Sequence, residues 1–308
     1  MAEFRVIALE EHFSHPELLG NLPMKPLGEA LLDLGARRLR EMDEAGIDLQ
    51  VISHFPSGPQ NLAPADAVRL SLETNNLIAA TIDKFPGRFG GFASLPLTAP
   101  QEAERELERA VTQLGFKGTL LHGMAAGVPL DDKRFWGLYE LAQKLDVPVY
   151  IHPDAPPTPV ADAYYKGHPA LIGPGWSFTV ESATQALRLM LSGVFDTYPR
   201  LKMILGHMGE SLPFSIVRCD ANLTRRAGLK RPLRDYFHDN FWITTSANLS
   251  TPALICSILE MGVDRILFSV DWPFASNVEN RRFIDNAPIS EPDRRKILGA
   301  NAAALLKL

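Results

Sequence analysis

Five residues able to do chemistry stand where apolar runs end. Val6-Ile7-Ala8-Leu9 passes into Glu10-Glu11-His12, Val149-Tyr150-Ile151 into His152, Met203-Ile204-Leu205-Gly206 into His207, and Ile266-Leu267-Phe268-Ser269-Val270 into Asp271. Short apolar runs of this kind read as buried parallel strands, on which residues two apart share a face. Glu10 and His12 are therefore expected to point the same way, with Glu11 opposite. A single histidine at one strand end is as readily a core imidazole bonded to a carbonyl. A glutamate, three of the chain's eight histidines and an aspartate spread over four strand ends are not accounted for by packing. Two imidazoles with two carboxylates suit Zn²⁺, Mn²⁺ or another first-row divalent ion, whereas Ca²⁺ and Mg²⁺ prefer oxygen alone. Glu10, His12, His152 and Asp271 are the ligand candidates. His207 is either a fifth ligand or an acid/base beside the metal.

The elements that must position these residues follow from periodicity. Strands are predicted over residues 6–12, 48–53, 89–97, 117–121, 148–152, 201–207, 241–246 and 266–271. Amphipathic helices are predicted between them, over 31–45, 65–85, 101–114, 132–145, 178–192, 212–226 and 252–261, with two more over 277–285 and 291–306. The stretch 153–174 holds six prolines and no period, and reads as a long loop. Eight alternations of strand and helix select a parallel sheet covered by helices, and eight units favour a closed (β/α)₈ barrel over an open sheet. In such a barrel the C-terminal strand ends carry the site, where the polar residues fall. With no repeat, low-complexity tract or linker, residues 1–308 read as one barrel domain with C-terminal helices.

Composition excludes several classes. A net charge of −5 and a pI near 5.9 speak against nucleic acid or an anionic membrane surface as partner. No apolar run approaches the roughly 20 residues of a membrane span. The opening MAEFRVIALEEH puts acids where a signal peptide needs an apolar core, so none is expected. Cys219 and Cys256 are the two cysteines, without CxxC spacing, which fits a reducing cytoplasm. No phosphate-binding loop or dinucleotide fingerprint occurs. Trp176 and Phe178, after the proline-rich stretch, are candidates to wall an aromatic pocket. His122 ends the fourth strand and so is expected to face the barrel mouth. Glu210, at a helix start, is by itself as readily a solvated acid complementing the dipole.

The stretches ALEEHF (8–13), YIHP (150–153), GHPALIGPGWSF (167–178), ALRLMLSGVFDTYPRLKMILGHMGESLPF (186–214), FWITTSAN (241–248) and DRILFSVDWPF (264–274) carry a resemblance across nearly the whole chain. The chain resembles the metal-dependent decarboxylase branch of the amidohydrolase superfamily, the group around γ-resorcylate (2,6-dihydroxybenzoate) decarboxylase. Most of the superfamily opens with His-x-His, and Glu10-x-His12 is similar to the decarboxylase variant. The resemblance implies an amidohydrolase-type (β/α)₈ barrel, one Mn²⁺ or Zn²⁺, and a homodimer or homotetramer. It matches Glu10, His12, His152 and Asp271 to metal ligands, His207 to a catalytic histidine, Glu210 to the acid orienting it, and Arg218 to an arginine near the substrate. Pro153-Asp154 departs from the His-Pro-Arg of the resorcylate enzymes.

The implied activity is non-oxidative decarboxylation of a hydroxylated aromatic acid, with Asp271 protonating the ring. The alternative is a metal-dependent hydrolase of a small lactone or cyclic amide, with Asp271 activating a water. A barrel retained only for binding is a third reading, opposed by the intact ligand set.

Overall fold

The structure is a computed structural model that describes residues 4–20, 25–56 and 58–308. Its frame is a set of parallel strands at the expected places. β1 (Ile7–Phe13), β2 (Leu49–His54) and β3 (Phe89–Gly91) form one ladder. β4 (Thr119–His122), β5 (Val149–His152), β6 (Met203–Leu205), β7 (Phe241–Thr244) and β8 (Ile266–Leu267) form a second. Single parallel bridges, Ala93 to Thr119 and Leu9 to Ser269, join β3 to β4 and β8 to β1. The strands thus follow one another round a (β/α)₈ ring with two thinly paired seams. Hydroxyls fasten both: Thr119 Oγ1 donates to the Ala93 carbonyl at 2.7 Å, and Ser269 Oγ donates to that of Leu9.

Ile7, Leu9, Leu49, Val51, Phe92, Leu120, Tyr150, Ile204 and Leu267 make one buried cluster that Ala302, Leu305 and Leu306 join. These residues come from strand after strand, so they are the barrel interior, and the helix Asn301–Leu306 packs against it. The larger cluster lies between strands and covering helices, as alternation requires: Ala8, between Ile7 and Leu9, belongs to it.

The differences from the sequence expectations have local causes. β3 stops at Gly91 instead of running to residue 97: beyond it Ala93 makes a single parallel bridge to Thr119, and Pro96 has no N–H to give a ladder. The helix expected over 31–45 is two, Lys25–Leu32 and Ala36–Ala45. Between them the Asp33 carboxylate accepts the N–H of Gly35 at 2.8 Å, the local bond by which Asp competes with a continuing helix. The proline-rich stretch contains a short helix, Thr158–Tyr164, with proline in its first turn. Helix Leu233–Asn240 was not expected; Leu233, Tyr236 and Phe237 make its buried face at helical spacing, but eight residues give the pattern only about two turns in which to show. Residues 291–306 are helical but pass through a π turn at Lys296–Ala300.

One buried histidine away from the chemistry sets a pH dependence. His54, at the end of β2, is 2 % exposed; its Nε2 accepts the His15 N–H at 2.9 Å and its Nδ1 donates to the Phe55 carbonyl at 2.5 Å. The bond accepted by Nε2 needs the neutral ring, and burial, against the pull of the Phe55 bond, pushes the pKa from 6.5 down to about 4. The unfolded chain therefore binds more protons between those values, so this stabilisation is complete above pH 6.5 and is lost as the pH falls toward 4. It amounts to about 3 kcal/mol. Urea unfolding at stepped pH is expected to show a slope between pH 6.5 and 4 that flattens in His54→Gln. Parallel curves for the two proteins would refute it.

Candidate active site

Four side chains converge at the C-terminal ends of β1, β5 and β8. One ligand atom each from Glu10, His12, His152 and Asp271 lie within 4.8 Å of one another. Glu10 and His12 are fully buried and His152 is 4 % exposed. The route by which Glu10 gets there differs from simple alternation. β1 shifts register between Ala8 and Glu11, and Glu10 takes a left-handed φ of 62°. The bulge aims Glu10 into the site, while Glu11 faces away as expected.

His152 Nε2 lies 3.3 Å from Glu10 Oε1, and His12 Nε2 lies 3.2 Å from Asp271 Oδ1. These are edge lengths expected between neighbouring ligands at about 2.0–2.2 Å from one ion. Glu10 Oε1 and His12 Nε2 are buried without hydrogen-bond partners. Buried polar atoms left this way are costly, and a shared cation removes the cost. Each imidazole is held for ligation. The Pro153 carbonyl, 2.7 Å from His152 Nδ1, can only accept, so that nitrogen carries the proton and Nε2 keeps its lone pair. Ser53 Oγ sits 3.4 Å from His12 Nδ1. Burial, then His12 and the other nearby imidazoles, hold His152 well below the ordinary histidine range, in the neutral form a metal requires.

Glu10 is itself oriented. Tyr150 donates its hydroxyl to Glu10 Oε2 and lies 2.8 Å from Thr244 Oγ1. Gly206 leaves room for this carboxylate, since a Cβ there would stand 3.1 Å from Glu10 Oε2. Burial pushes the Glu10 pKa up, against the pull of His207. Tyr150 was not singled out from the sequence, although its place two residues before His152 on one strand carried the signal.

His207 stands beside the four, its Nε2 3.2 Å from Glu10 Oε1 and 4.0 Å from Asp271 Oδ2. Its Nδ1 bonds Glu210 Oε1 at 2.7 Å. Glu210 is 2 % exposed and is not the solvated helix-start acid of the alternative reading. Burial lowers the His207 pKa, but Glu10 and Glu210 outweigh it and push it up to about 10. A divalent ion on Glu10 and Asp271 would draw off part of that pull. His207, Met208, Glu210, Ser211 and Asp271 all have φ between 48° and 72°. Such left-handed residues cost roughly 1–2 kcal/mol each outside glycine and gather at functional sites.

Beside these groups opens a cavity of about 430 Å³, lined among others by Pro174, Phe178, Thr179, His207, Glu210, Ser246 and Asp271. Phe178 thus forms its aromatic wall. Trp176, expected to do so, is 52 % exposed and outside the lining, because the backbone turns at Gly173–Trp176 before helix Ser177–Ser192. His122 ends β4 in register with His152, is 3 % exposed and lies outside the lining of this cavity; Gln60 binds its N–H (2.8 Å) and its carbonyl (2.5 Å), and 3.3 Å separates its Nδ1 from that of His152. Arg218 lies exposed on helix Leu212–Arg226, outside the lining of this chain's cavity.

Comparison with known proteins agrees with this geometry. The amidohydrolase family profile matches residues 32–308. The chain is 46 % identical over 323 residues, 98 % of either chain, to the γ-resorcylate decarboxylase of Polaromonas sp. strain JS666. It superposes with a TM-score of 0.93 and 41 % identity on a 2,6-dihydroxybenzoate decarboxylase in complex with 2,6-dihydroxybenzoate, covering 99 % of this chain and 100 % of that one. A dihydroxybenzoic acid decarboxylase of Polaromonas sp. JS666, with bound manganese and the inhibitor 2-nitroresorcinol, gives a TM-score of 0.93 at 44 % identity, covering 99 % of this chain and 98 % of that one.

Proposed function

The chain belongs to the amidohydrolase family, and from that premise we propose that it decarboxylates a 2,6-dihydroxybenzoate-type acid, with Asp271 as the acid that protonates the ring. The enzyme is a metal-dependent, non-oxidative carboxy-lyase acting on an aromatic carboxylate. The observation that carries the assignment of roles is the double position of Asp271, which belongs to the four-residue cluster and also lines the cavity.

Glu10, His12, His152 and Asp271 would hold one Mn²⁺ or Zn²⁺, which when bound supplies a Lewis acid for the phenolate and carboxylate oxygens of the substrate. His207, oriented by Glu210, holds a substrate oxygen. Phe178 closes one wall on the ring. Asp271 transfers a proton to the ring carbon that bears the carboxylate. The bond from that carbon to the carboxylate then breaks, CO₂ leaves, and the released electron pair restores the aromatic ring.

Residues 1–308 act as one domain in this reading, in a homodimer or homotetramer in the cytoplasm. Phe214 and Leu259, 85 % and 80 % exposed, are large apolar side chains that a subunit contact would cover. Cys219 and Cys256 are both free, as a reducing compartment permits. Among the described residues no helix is long and apolar enough to cross a membrane.

The test is a substrate panel. Protein loaded with Mn²⁺ or Zn²⁺ is expected to consume 2,6-dihydroxybenzoate, or a close hydroxybenzoate, with release of CO₂. Hydrolysis of small lactones or cyclic amides, without CO₂ from any benzoate, would replace this reading with the hydrolase one.

A further inference from the structure

Glu11 is fully buried on the face of β1 turned away from the site, and the reaction above does not use it. Its Oε1 accepts the N–H of Val270 at 2.9 Å and its Oε2 that of Trp272 at 3.2 Å. One side chain on β1 therefore binds the peptide groups on both sides of Asp271, whose φ of 72° is a conformation that a non-glycine residue keeps only when its surroundings hold it. The anchor is itself anchored. Gln50 Nε2 donates to Glu11 Oε2 at 3.3 Å, and Gln50 Oε1 accepts from Arg38 at 3.3 Å. Arg38, fully buried, donates to the carbonyls of His12 and Asp33 and lies 3.9 Å from the centre of the Trp272 ring. His12 N–H closes the loop by donating to the Trp272 carbonyl at 2.7 Å. The two residues whose ligand atoms stand 3.2 Å apart, His12 and Asp271, are thus tied to each other from behind.

We propose that Glu11 is a positioning residue for the metal centre: by binding the N–H groups of Val270 and Trp272 it holds Asp271 at ligand distance from His12. The proposal rests on the ligand assignment made above. Glu11→Gln keeps the size but exchanges one acceptor oxygen for an NH₂ group, so one of the two N–H groups faces a donor. The readout is the Mn²⁺ dissociation constant, measured without substrate by chelator competition, for wild type, E11Q, D271N and the double variant.

In E11Q the constant is expected to rise about 10- to 100-fold, the usual effect of removing a group that orients a ligand. In the D271N background the same change is expected to matter less than about threefold, because the ligand that Glu11 positions is already altered. Cobalt-substituted E11Q is expected to show a visible absorption spectrum displaced from that of the wild type. Wild-type affinity in E11Q, or an equal loss in both backgrounds, would overturn the proposal. Unchanged affinity in D271N alone would overturn the ligand assignment and the proposal with it. Since no substrate enters, an absence of decarboxylation leaves the result standing. If E11Q does not fold, the same cycle with Glu11→Asp applies, which keeps the carboxylate but draws it back by one methylene. Loss of the fold in both variants would assign Glu11 a structural role instead.

Discussion

Asp271→Asn, assayed at saturating Mn²⁺, lowers kcat for decarboxylation by about 10³-fold while substrate affinity changes little, because general acid catalysis by a placed side chain contributes roughly 10²–10⁴-fold. The substitution keeps shape and can keep a contact through oxygen, but an amide has no proton of suitable acidity to give to carbon. Asp271 is 15 % exposed, lines the cavity, and stands 3.2 Å from His12 Nε2 and 4.0 Å from His207 Nε2. His207 also faces the cavity, but its Nδ1 is committed to Glu210 and its Nε2 serves a substrate oxygen in this reading, which leaves the proton for the ring carbon to Asp271. A fall in kcat at constant affinity is what losing a transition-state interaction produces. Retention of more than about a tenth of the activity, on the same scale, would remove Asp271 as the proton donor.

The second large effect is metal removal. Exhaustive chelation is expected to abolish decarboxylation, and Mn²⁺ or Zn²⁺ to restore it. Without a cation, Glu10 Oε1 and His12 Nε2 are buried polar atoms with no partner. The stripped protein should therefore also unfold earlier. An ion that binds only the folded chain stabilises it by about 4 kcal/mol at a thousandfold excess over its dissociation constant. A melting series against Mn²⁺ concentration checks this independently of turnover. Full activity after chelation, or a melting temperature indifferent to Mn²⁺, would contradict the account.

The barrel and much of its site were legible in the chain because both follow from periodicity. Short apolar runs separated by helical patterns specify the strands, and polar residues directly after those runs fall at one end of the ring. His152 and His207 were found this way, each at a strand end. What stayed hidden depended on backbone detail or on pairing across strands. The bulge at Glu10 and the left-handed φ of Asp271 leave no periodic trace. Nothing local in Trp176 says that the chain will turn it toward solvent while Phe178 meets the cavity. His122 shares its strand-end position with His152, and nothing local says that its ring will be buried against that of His152 while Gln60, 62 residues earlier, binds its backbone. Glu11 read as the residue pointing the wrong way, and its partners lie about 260 residues later.

The most direct test follows the ring carbon. Metal-loaded protein turning over 2,6-dihydroxybenzoate in D₂O should release one CO₂ per substrate and place one deuteron on the carbon that lost it. Consumption of substrate without CO₂, or a product without deuterium at that carbon, would contradict the proposed protonation and carboxy-lyase chemistry.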